Sequence, residues 1–453
     1  MNRFITTLKN IWKIKELRER ILFTLGMLAV YRFGSFVVLP GVRPDVLASS
    51  GANNAGDLLG LINAFTGGAF NQGAVFALGI MPYITASIII QLLGFAVPYF
   101  QRLQQKEGEA GRKKLTQITR MLTLAITLVQ GGGYLTFLSS QGAVDASIPP
   151  SIFWIANIII LSAGTIFAMW LGERITDRGI GNGVSLLITI GIIASLPQAF
   201  AAEIGLQVQS GGLFLLILEL AVLYVIVMLT VLIVQGVRRI PIQFAKRMVG
   251  RGANQMPAAG ARDYIPVKVN AAGVMPIIFA QALMFLPATV AGLFISDQAA
   301  ASPTMQALMN PFSPLSALIT FFLVVLFTYV YTALLVNPTN YAEYLKRQNA
   351  FIPGIKPGKA TADFIDAVTT RITLPGSIFL GLIAIIPAFA VAGGVNQAFA
   401  IFFGGTSLLI LVAVVLDTLQ QIESHLLMRR YDGLVKSGKI QGRSRMQGIG
   451  ASM

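Results

Sequence analysis

Ten apolar stretches dominate this sequence, and nine of them are long enough to cross a lipid bilayer. A transmembrane helix needs about 20 predominantly apolar residues, because the hydrocarbon core is about 30 Å thick. The stretches cover residues 21–39, 75–97, 118–137, 152–171, 184–196, 213–234, 271–295, 315–336, 372–391 and 398–422. The fifth has 13 residues, which is too few for a full crossing unless it begins or ends in a protein-lined cavity. We predict an all-α, polytopic membrane protein with ten transmembrane helices.

The composition supports a membrane protein and excludes several kinds of chemistry. Charged residues make up 12% of the chain, against about 25% in a soluble domain. There is no Cys, which excludes disulfides, thiolate metal sites and thiol nucleophiles. The single His, His425, excludes a metal centre built from several imidazoles. No carboxylate pair or nucleophile with a base converges either, so we predict no enzymatic activity and no cofactor.

The positive charges lie almost entirely on one side of the predicted spans. Of the 34 Lys and Arg residues, 32 fall in the two termini and the loops on the same side, whereas the opposite loops contain only Arg43. The positive-inside rule therefore places both termini in the cytosol. The net charge of +15 follows from this distribution and does not require a nucleic-acid partner.

The spans divide into two sets of five, which places the two halves of the chain in opposite orientations and permits an inverted repeat. Two of the predicted cytosolic loops are too long for simple helix connections. The predicted order is a cytosolic N-terminal segment (1–20), a first half (21–196), an outer joining loop (197–212), a second half (213–422) containing the cytosolic loops 235–270 and 337–371, and a cytosolic tail (423–453).

Residues 58–74 are partly apolar but are interrupted by glycines and polar residues. The segment is too short to span the membrane and precedes a full span on the outer side. Irregular backbone at membrane depth is tolerated only where it lines a protein cavity. The sequence leaves two alternatives open, a half-helix that lines a cavity and an interfacial helix on the outer surface.

Two ionisable residues, Arg32 and Glu219, lie well inside predicted spans. We interpret Arg32 as a side chain that reaches toward the outer interface. Glu219 faces either a partner helix or a wet cavity, and the second alternative would suit an ion-coupled secondary transporter. A non-conducting membrane scaffold is a further alternative. The glycines of the segment Gly179–Gly183 predict a tight turn before the fifth span and no phosphate-binding loop, because no strand precedes them.

Eight motifs along the chain resemble the SecY family, the channel subunits of the Sec protein translocase. They are Arg32 to Phe36, Ala77 to Ile84, Ser87 to Leu93, Glu107 to Arg112, Trp170 to Glu173 together with the Gly179 to Gly183 turn, Val267 to Val274, Phe351 to Gly358, and Phe403 to Ser407. The resemblance implies two five-helix halves around an hourglass pore. It also implies a protein-conducting channel that binds signal sequences, passes secretory polypeptides and releases membrane segments sideways into lipid.

The resemblance also implies roles for individual residues. Residues 58–74 would form a plug, with Leu61, Phe65, Gly67, Gly68 and Phe70 as its core. A ring of aliphatic side chains would close the pore around a passing chain, and Val184 departs from the Ile that is more usual in the family. By motif the ring residues are Ile80, Ile84, Val184, Ile188, Ile278 and Ile410.

A lateral gate would lie between the second and third spans on one side and the seventh and eighth on the other. Gln91 is the candidate for a polar contact across this gate, although an amide can equally bond within its own helix. The two long loops would dock a SecA motor or a ribosome, and Lys356 stands where the family usually has Arg. The docking candidates are Arg238, Arg239, Lys246, Arg247, Arg251, Lys356 and Lys359.

The partners implied by the resemblance follow from the same family. They are SecE- and SecG-type small membrane subunits, the SecA motor, the ribosome, secretory and membrane nascent chains, a YidC-type insertase and the lipid bilayer. The implied location is the cytoplasmic membrane.

Overall fold

Long helices, packed side by side, form most of the protein, and a small sheet joins two of its loops. The computed structural model describes residues 14–51, 58–105, 108–145, 147–210, 212–244, 247–249, 256–258, 262–281, 283–284, 307, 310 and 312–436. The helices α1 to α14 are Lys15–Gly34, Pro44–Gly51, Leu58–Phe65, Met81–Ala96, Pro98–Gln105, Gly108–Ser140, Pro150–Arg178, Gly183–Ser210, Leu213–Gln235, Pro314–Leu335, Pro338–Arg347, Lys359–Ala392, Gln397–Ala400 and Gly405–Lys436. Residues 275–281 and 283–284 are also helical.

Each predicted span has a helix at its position. Among the described residues, seven helical stretches are long and apolar enough to cross a membrane, and Met81–Gly94 forms a shorter apolar helix. Only the first part of the predicted span 271–295 lies within the described residues. The prediction of a polytopic helical membrane protein is therefore confirmed.

The fifth span is longer than predicted. Helix α8 has 28 residues and continues through Pro197 to Ser210, so the 13-residue span is wrong and most of the predicted outer loop 197–212 is helical. Two polar residues in this stretch, Glu203 and Gln207, are 0% and 4% exposed. They extend the helix because their side chains have partners inside the protein.

Two other spans contain breaks that apolarity alone does not reveal. The predicted span 398–422 consists of α13, which ends at Ala400, and α14, which begins at Gly405. Gly405 has φ +65°, a conformation that glycine adopts without steric cost. Residues 75–80 are irregular, and α4 begins only after Ile80, with a proline in its first turn.

Side chains of polar residues fix where several helices begin. The Asn182 side chain accepts a hydrogen bond from Ser185 N (3.3 Å) at the start of α8, and the Asn396 side chain accepts one from Ala398 N (2.8 Å) at α13. Ser313 does the same for Ser316 N at α10. Each cap satisfies one of the backbone N–H groups that a helix start leaves unpaired.

A sheet that the sequence analysis does not predict joins the loops 235–270 and 337–371. Strand β1 (Val237–Phe244) pairs antiparallel with β4 (Arg262–Lys268) and with β5 (Ala350–Phe351). Strands β2 (Arg247–Val249) and β3 (Met256–Ala258) form a separate pair. Ile240, Val267, Leu345, Ile352 and Ile365 belong to one apolar cluster beneath the sheet, which ties the two loops into one structural unit.

Glycines allow the backbones of neighbouring segments to approach closely. A Cβ atom placed at Gly183 would lie 2.0 Å from the Gly172 carbonyl oxygen, and one at Gly164 would lie 2.5 Å from the Val75 carbonyl oxygen. Real Cβ atoms do not come so close to backbone oxygens. Close packing of this kind replaces the hydrophobic effect as a driving force between membrane helices.

The contact at Gly164 predicts a large difference between two glycine substitutions in neighbouring helices. Gly164→Ala in α7 forces the backbone at Val75 to move, and we expect it to lower the free energy of unfolding by about 1–3 kcal/mol. Gly133→Ala in α6 is the control, because no heavy atom lies within 4 Å of its added Cβ and alanine favours a helix by up to ~1 kcal/mol. Thermal unfolding of the purified chain in detergent measures both changes. Equal effects would contradict the packing account.

Candidate functional site

The six residues predicted for the ring lie in or against one apolar cluster. Helices α4, α8 and α14 and the helical residues 275–281 contribute to it. Ile84, Ile188 and Ile410 are 8%, 5% and 3% exposed, and Ile80, at the N-cap of α4, is 4% exposed. Val184 and Ile278 pack against these core members. Residues far apart in the sequence therefore meet in one apolar cluster, which also contains aromatic side chains such as Phe65 and Phe403.

The segment after α2 is buried against this cluster. Helix α3 ends at Phe65, and the Phe65 ring is 7% exposed and belongs to the same apolar cluster as the ring candidates. Gly67 and Gly68 then turn the chain with φ +65° and +92°. Phe70 is also buried, in an adjacent cluster, and the Leu61 side chain lies outside the described residues. Of the two alternatives for this segment, the geometry favours the half-helix that lines a cavity.

Hydrogen bonds within the protein satisfy much of the irregular backbone between α3 and α4. Asn63 Oδ1 accepts from Asn71 N at 3.0 Å, and Leu39 N donates to the Gly73 carbonyl oxygen at 2.8 Å. The Tyr134 hydroxyl of α6 donates to the Phe70 carbonyl oxygen at 2.7 Å. Non-helical backbone can therefore persist at membrane depth, where water does not supply the missing partners.

Arg32 contacts this segment directly, a contact that the sequence does not predict. Its Nη1 donates to the Gly67 carbonyl oxygen at 2.5 Å. Its guanidinium carbon also lies 4.6 Å from the centre of the Phe36 ring, within the range of a cation–π interaction. Helix α1 thus places one positive charge against the end of α3.

Glu219 faces a partner helix, which decides between the two alternatives for this residue. Gln207 Nε2 of α8 donates to Glu219 Oε1 of α9 at 3.1 Å and to Glu203 Oε1 at 2.9 Å. Asn396 N, just before α13, donates to Glu203 Oε2 at 2.8 Å. The group joins both halves of the chain, and Glu219 Oε2 is buried without a hydrogen-bond partner.

Gln91 bonds within its own helix, whereas Gln281 contacts another helix. Gln91 Nε2 donates to Ser87 Oγ at 3.2 Å, one turn earlier in the same helix. Gln281 Nε2 donates to Thr406 Oγ1 of α14 at 2.7 Å. Both Gln281 and Thr406 line a cavity of about 90 Å³ that Phe65 also borders. This pair is not predicted from the sequence, although its amide lies only three residues beyond Ile278 on the same helix.

The turn between α7 and α8 is held by side chains from three helices. Ile180 N donates to Thr24 Oγ1 of α1 at 3.0 Å, and Gly183 N donates to Thr176 Oγ1 of α7 at 2.9 Å. Gly181 N donates to Gln421 Oε1 of α14 at 2.8 Å, and Gly181 has φ +84°. The predicted tight turn therefore connects the first half to the last helix.

The basic candidates on the long loops are exposed wherever the structure describes them. Arg238 and Arg239 lie on β1, and the Arg239 guanidinium lies 4.8 Å from the centre of the Tyr264 ring. Lys356 and Lys359 precede and begin α12 and are exposed. Arg247 lies in β2, but its side chain, Lys246 and Arg251 lie outside the described residues.

The fold is that of a polytopic helical membrane protein, and solved structures share it. One shows that the plug domain of the SecY protein stabilizes the closed state of the translocation channel; it has a TM-score of 0.61 and 18% identity, with 91% of this chain and 93% of that chain covered. Another is Sec61 in the canine ribosome-channel complex from the endoplasmic reticulum, with a TM-score of 0.60, 17% identity and the same two coverages.

The family follows from the sequence comparisons. The SecY family model matches residues 74–419. The protein translocase subunit SecY of Streptomyces scabiei is 42% identical over 95% of this chain and 100% of its own length. That of Halalkalibacterium halodurans is 43% identical over 95% and 99%. The chain belongs to the SecY family, which consists of protein-translocation channels and not of enzymes, and the transporter alternative is not favoured.

The buried carboxylates predict opposite results for two substitutions in one group. Gln207→Leu removes the amide that donates to both Glu203 and Glu219, and we expect it to lower the free energy of unfolding by roughly 1–3 kcal/mol because buried acceptors lose their donor. Glu219→Gln replaces a buried carboxyl group, one of whose oxygens has no hydrogen-bond partner, by a neutral amide and is expected to leave stability unchanged or raised. Thermal unfolding in detergent distinguishes the two. A Glu219→Gln protein less stable than Gln207→Leu would show that the carboxylate, and not the amide, holds the group together.

Proposed function

We propose that the chain forms the channel through which secretory polypeptides cross the cytoplasmic membrane, and from which membrane-protein segments leave sideways into lipid. The observation that carries this proposal is the apolar cluster at the junction of α4, α8, α14 and residues 275–281, to which all six ring candidates contribute. It lies where helices from both halves of the chain meet. Family membership supports the same function.

An aliphatic ring suits a pore that must pass many different side chains. Ile80, Ile84, Ile188, Ile278 and Ile410, with Val184, offer no hydrogen-bond partner to water or ions, so a narrow opening between them excludes water by dewetting. The same side chains make no specific contact with a passing residue. Val184 is one carbon shorter than isoleucine, which makes its part of the ring wider.

We assign residues 58–74 to a plug that closes the ring when no substrate is present, with Leu61, Phe65, Gly67, Gly68 and Phe70 as its core. The buried position of Phe65 against the cluster supports this role. The cavity beside Phe65 gives the segment space on the side of α14. In the resting channel, the plug and the ring then act in series.

The lateral gate is assigned to the seam between the second and third spans on one side and the seventh and eighth on the other. Gln91 remains a candidate gate residue, because its amide can exchange its partner Ser87 for one across the seam. The Gln281 contact with Thr406 joins the seventh and tenth spans, so it lies within the second half of the chain and does not cross the seam. Breaking an interhelical hydrogen bond inside a membrane costs about 0.6 kcal/mol on average, so a Gln91 contact across the seam would be compatible with repeated opening.

The joined loops are assigned to docking of a SecA-type motor and of the ribosome. Arg238, Arg239, Lys356 and Lys359 are exposed, and Lys246, Arg247 and Arg251 complete the basic set in the sequence. Lys356 provides charge without the planar, bidentate contact of arginine, so the proposed contact is electrostatic. Both termini would then lie in the cytosol, on the side of these loops, as the distribution of Lys and Arg indicates.

The further partners are proposed from family membership alone. They are SecE- and SecG-type subunits, secretory and membrane nascent chains, and a YidC-type insertase, within the lipid bilayer. The exposed apolar faces of helices such as α9, where Phe214 is 80% exposed, are compatible with lipid or with small membrane subunits as neighbours.

The ring predicts that a polar substitution opens the resting channel. Ile410→Asn introduces a hydrogen-bonding group into the cluster and should stabilise wetted states, raising resting ion leak and export of a precursor with a defective signal. Leu218→Asn, on an exposed position of α9, is the control; it should lower protein yield through its insertion cost without raising leak. Planar-bilayer conductance and an export assay measure both effects. An Ile410→Asn channel as tight and selective as the wild type would exclude Ile410 from the seal.

The docking surface predicts a loss of partner binding after charge reversal. Lys356→Glu should weaken motor and ribosome binding several-fold, mainly through slower association, because rim charges steer encounter. The control is Lys113→Glu, an exposed charge on α6 in the first half of the chain, which contributes no strand to the described sheet. Association rates with purified SecA and ribosomes, measured at low and high salt, test this. Unchanged rates at low salt for Lys356→Glu would remove this residue from the docking surface.

A further inference from the structure

We infer that Arg32 is the latch that holds the plug in its closed position. This inference rests on the plug assignment proposed above. Arg32 lies in the last turn of α1, and its Nη1 donates to the Gly67 carbonyl oxygen, two residues after α3 ends. The contact joins two segments that are 35 residues apart in the sequence. One side chain therefore connects a transmembrane helix to the segment that must move.

The electrostatics of the contact favour a cation. The last carbonyl groups of a helix have no intrahelical partner and carry the negative end of the helix dipole. The Gly67 carbonyl oxygen lies at this end of α3, and Arg32 also lies at the same end of its own helix. A guanidinium placed between the two helix ends is favourable for both. Phe36 holds the guanidinium from a further side, with 4.6 Å between its ring centre and the Arg32 guanidinium carbon.

The plug backbone is shaped to accept this contact. Gly67 has φ +65°, and a Cβ atom there would lie 2.8 Å from Arg32 Nη1 and 3.0 Å from Gly191 Cα of α8. A Cβ at Gly191 would in turn lie 2.2 Å from the Phe65 carbonyl oxygen. The end of α3 thus fits between Arg32 and a glycine surface of α8. The end of α3 packs against α8 by van der Waals contact. The Arg32 hydrogen bond adds a directional contact, and Arg32 can exchange it for another partner when the plug leaves.

Two other hydrogen bonds from neighbouring segments reach the plug further along the chain than Gly67. Tyr134 binds the Phe70 carbonyl oxygen, and Leu39 N binds the Gly73 carbonyl oxygen. These bonds hold the base of the segment, whereas Arg32 holds the end of α3. Gly68, with φ +92°, lies between the Arg32 and Tyr134 contacts, and Gly73, with φ +62°, lies at the Leu39 contact. Release of Arg32 would therefore free the plug without detaching its base.

The test compares resting conductance of three full-length channels, purified from native membranes with their bound subunits and placed in planar bilayers. Arg32→Gln should raise resting ion leak about tenfold, which corresponds to ~1.4 kcal/mol, and should increase export of a precursor with a defective signal. Arg32→Lys keeps the charge and the ability to donate to the Gly67 carbonyl oxygen, and should keep most of the seal. Arg43→Gln is the matched control, because Arg43 also donates to a backbone carbonyl oxygen, that of Val144, but at an exposed position; its leak should equal that of the wild type.

A second set of variants shows whether Arg32 acts through the plug. In a channel that lacks residues 62–72, Arg32→Gln should cause no additional leak. If deletion of these residues leaves the channel tight, the plug assignment itself is wrong. If deletion causes leak but Arg32→Gln alone does not, or if the two effects add, the latch is wrong and the plug assignment stands.

A plug-side variant keeps the test decisive if Arg32→Gln does not accumulate in the membrane. Gly67→Ala places a Cβ against Arg32 Nη1 and disturbs the same contact without altering α1. It should also raise the resting leak. A Gly67→Ala channel with the conductance of the wild type would overturn the inference.

Discussion

Every backbone amide at membrane depth needs a partner inside the protein, and the rest of this structure depends on how that requirement is met between α3 and α4. A helix satisfies this requirement with its own backbone hydrogen bonds, but the stretch from Thr66 to Ile80 is not helical in that way. Three of its carbonyl oxygens accept hydrogen bonds from Arg32, Leu39 and Tyr134. Because these partners come from surrounding segments, an irregular segment can rest beside the aliphatic cluster without water.

The long spans could be predicted because length and apolarity determine them. Helices α9 and α10 begin and end within about one residue of the predicted bounds. Where polar residues have internal partners, the same reasoning fails. Helix α8 continues past Pro197 because Glu203 and Gln207 are bonded within the protein, and no local pattern shows that partner. The break before Gly405 depends on a backbone conformation that glycine permits but does not require.

The candidate site shows the same division. Spacing along a helix can place Ile80 near Ile84, or Val184 near Ile188, on one face. Spacing does not indicate that Ile278 and Ile410 belong to the same cluster. All six residues are predicted together only from the resemblance to the SecY family. The Arg32 contact with Gly67 and the Gln281 contact with Thr406 join distant segments through one hydrogen bond each. A single sequence carries no signal for such pairs.

The sheet that joins the two long loops has a mechanical consequence. Strand β1 begins two residues after α9 ends, and β5 lies between α11 and α12. Pairing of β1 with β5 couples these helices, all of which belong to the second half of the chain. The first half contributes no strand to the described sheet. A force applied to the sheet therefore enters through one half and reaches the other only across the contacts between them, so it acts between the halves and not as a uniform push on the channel.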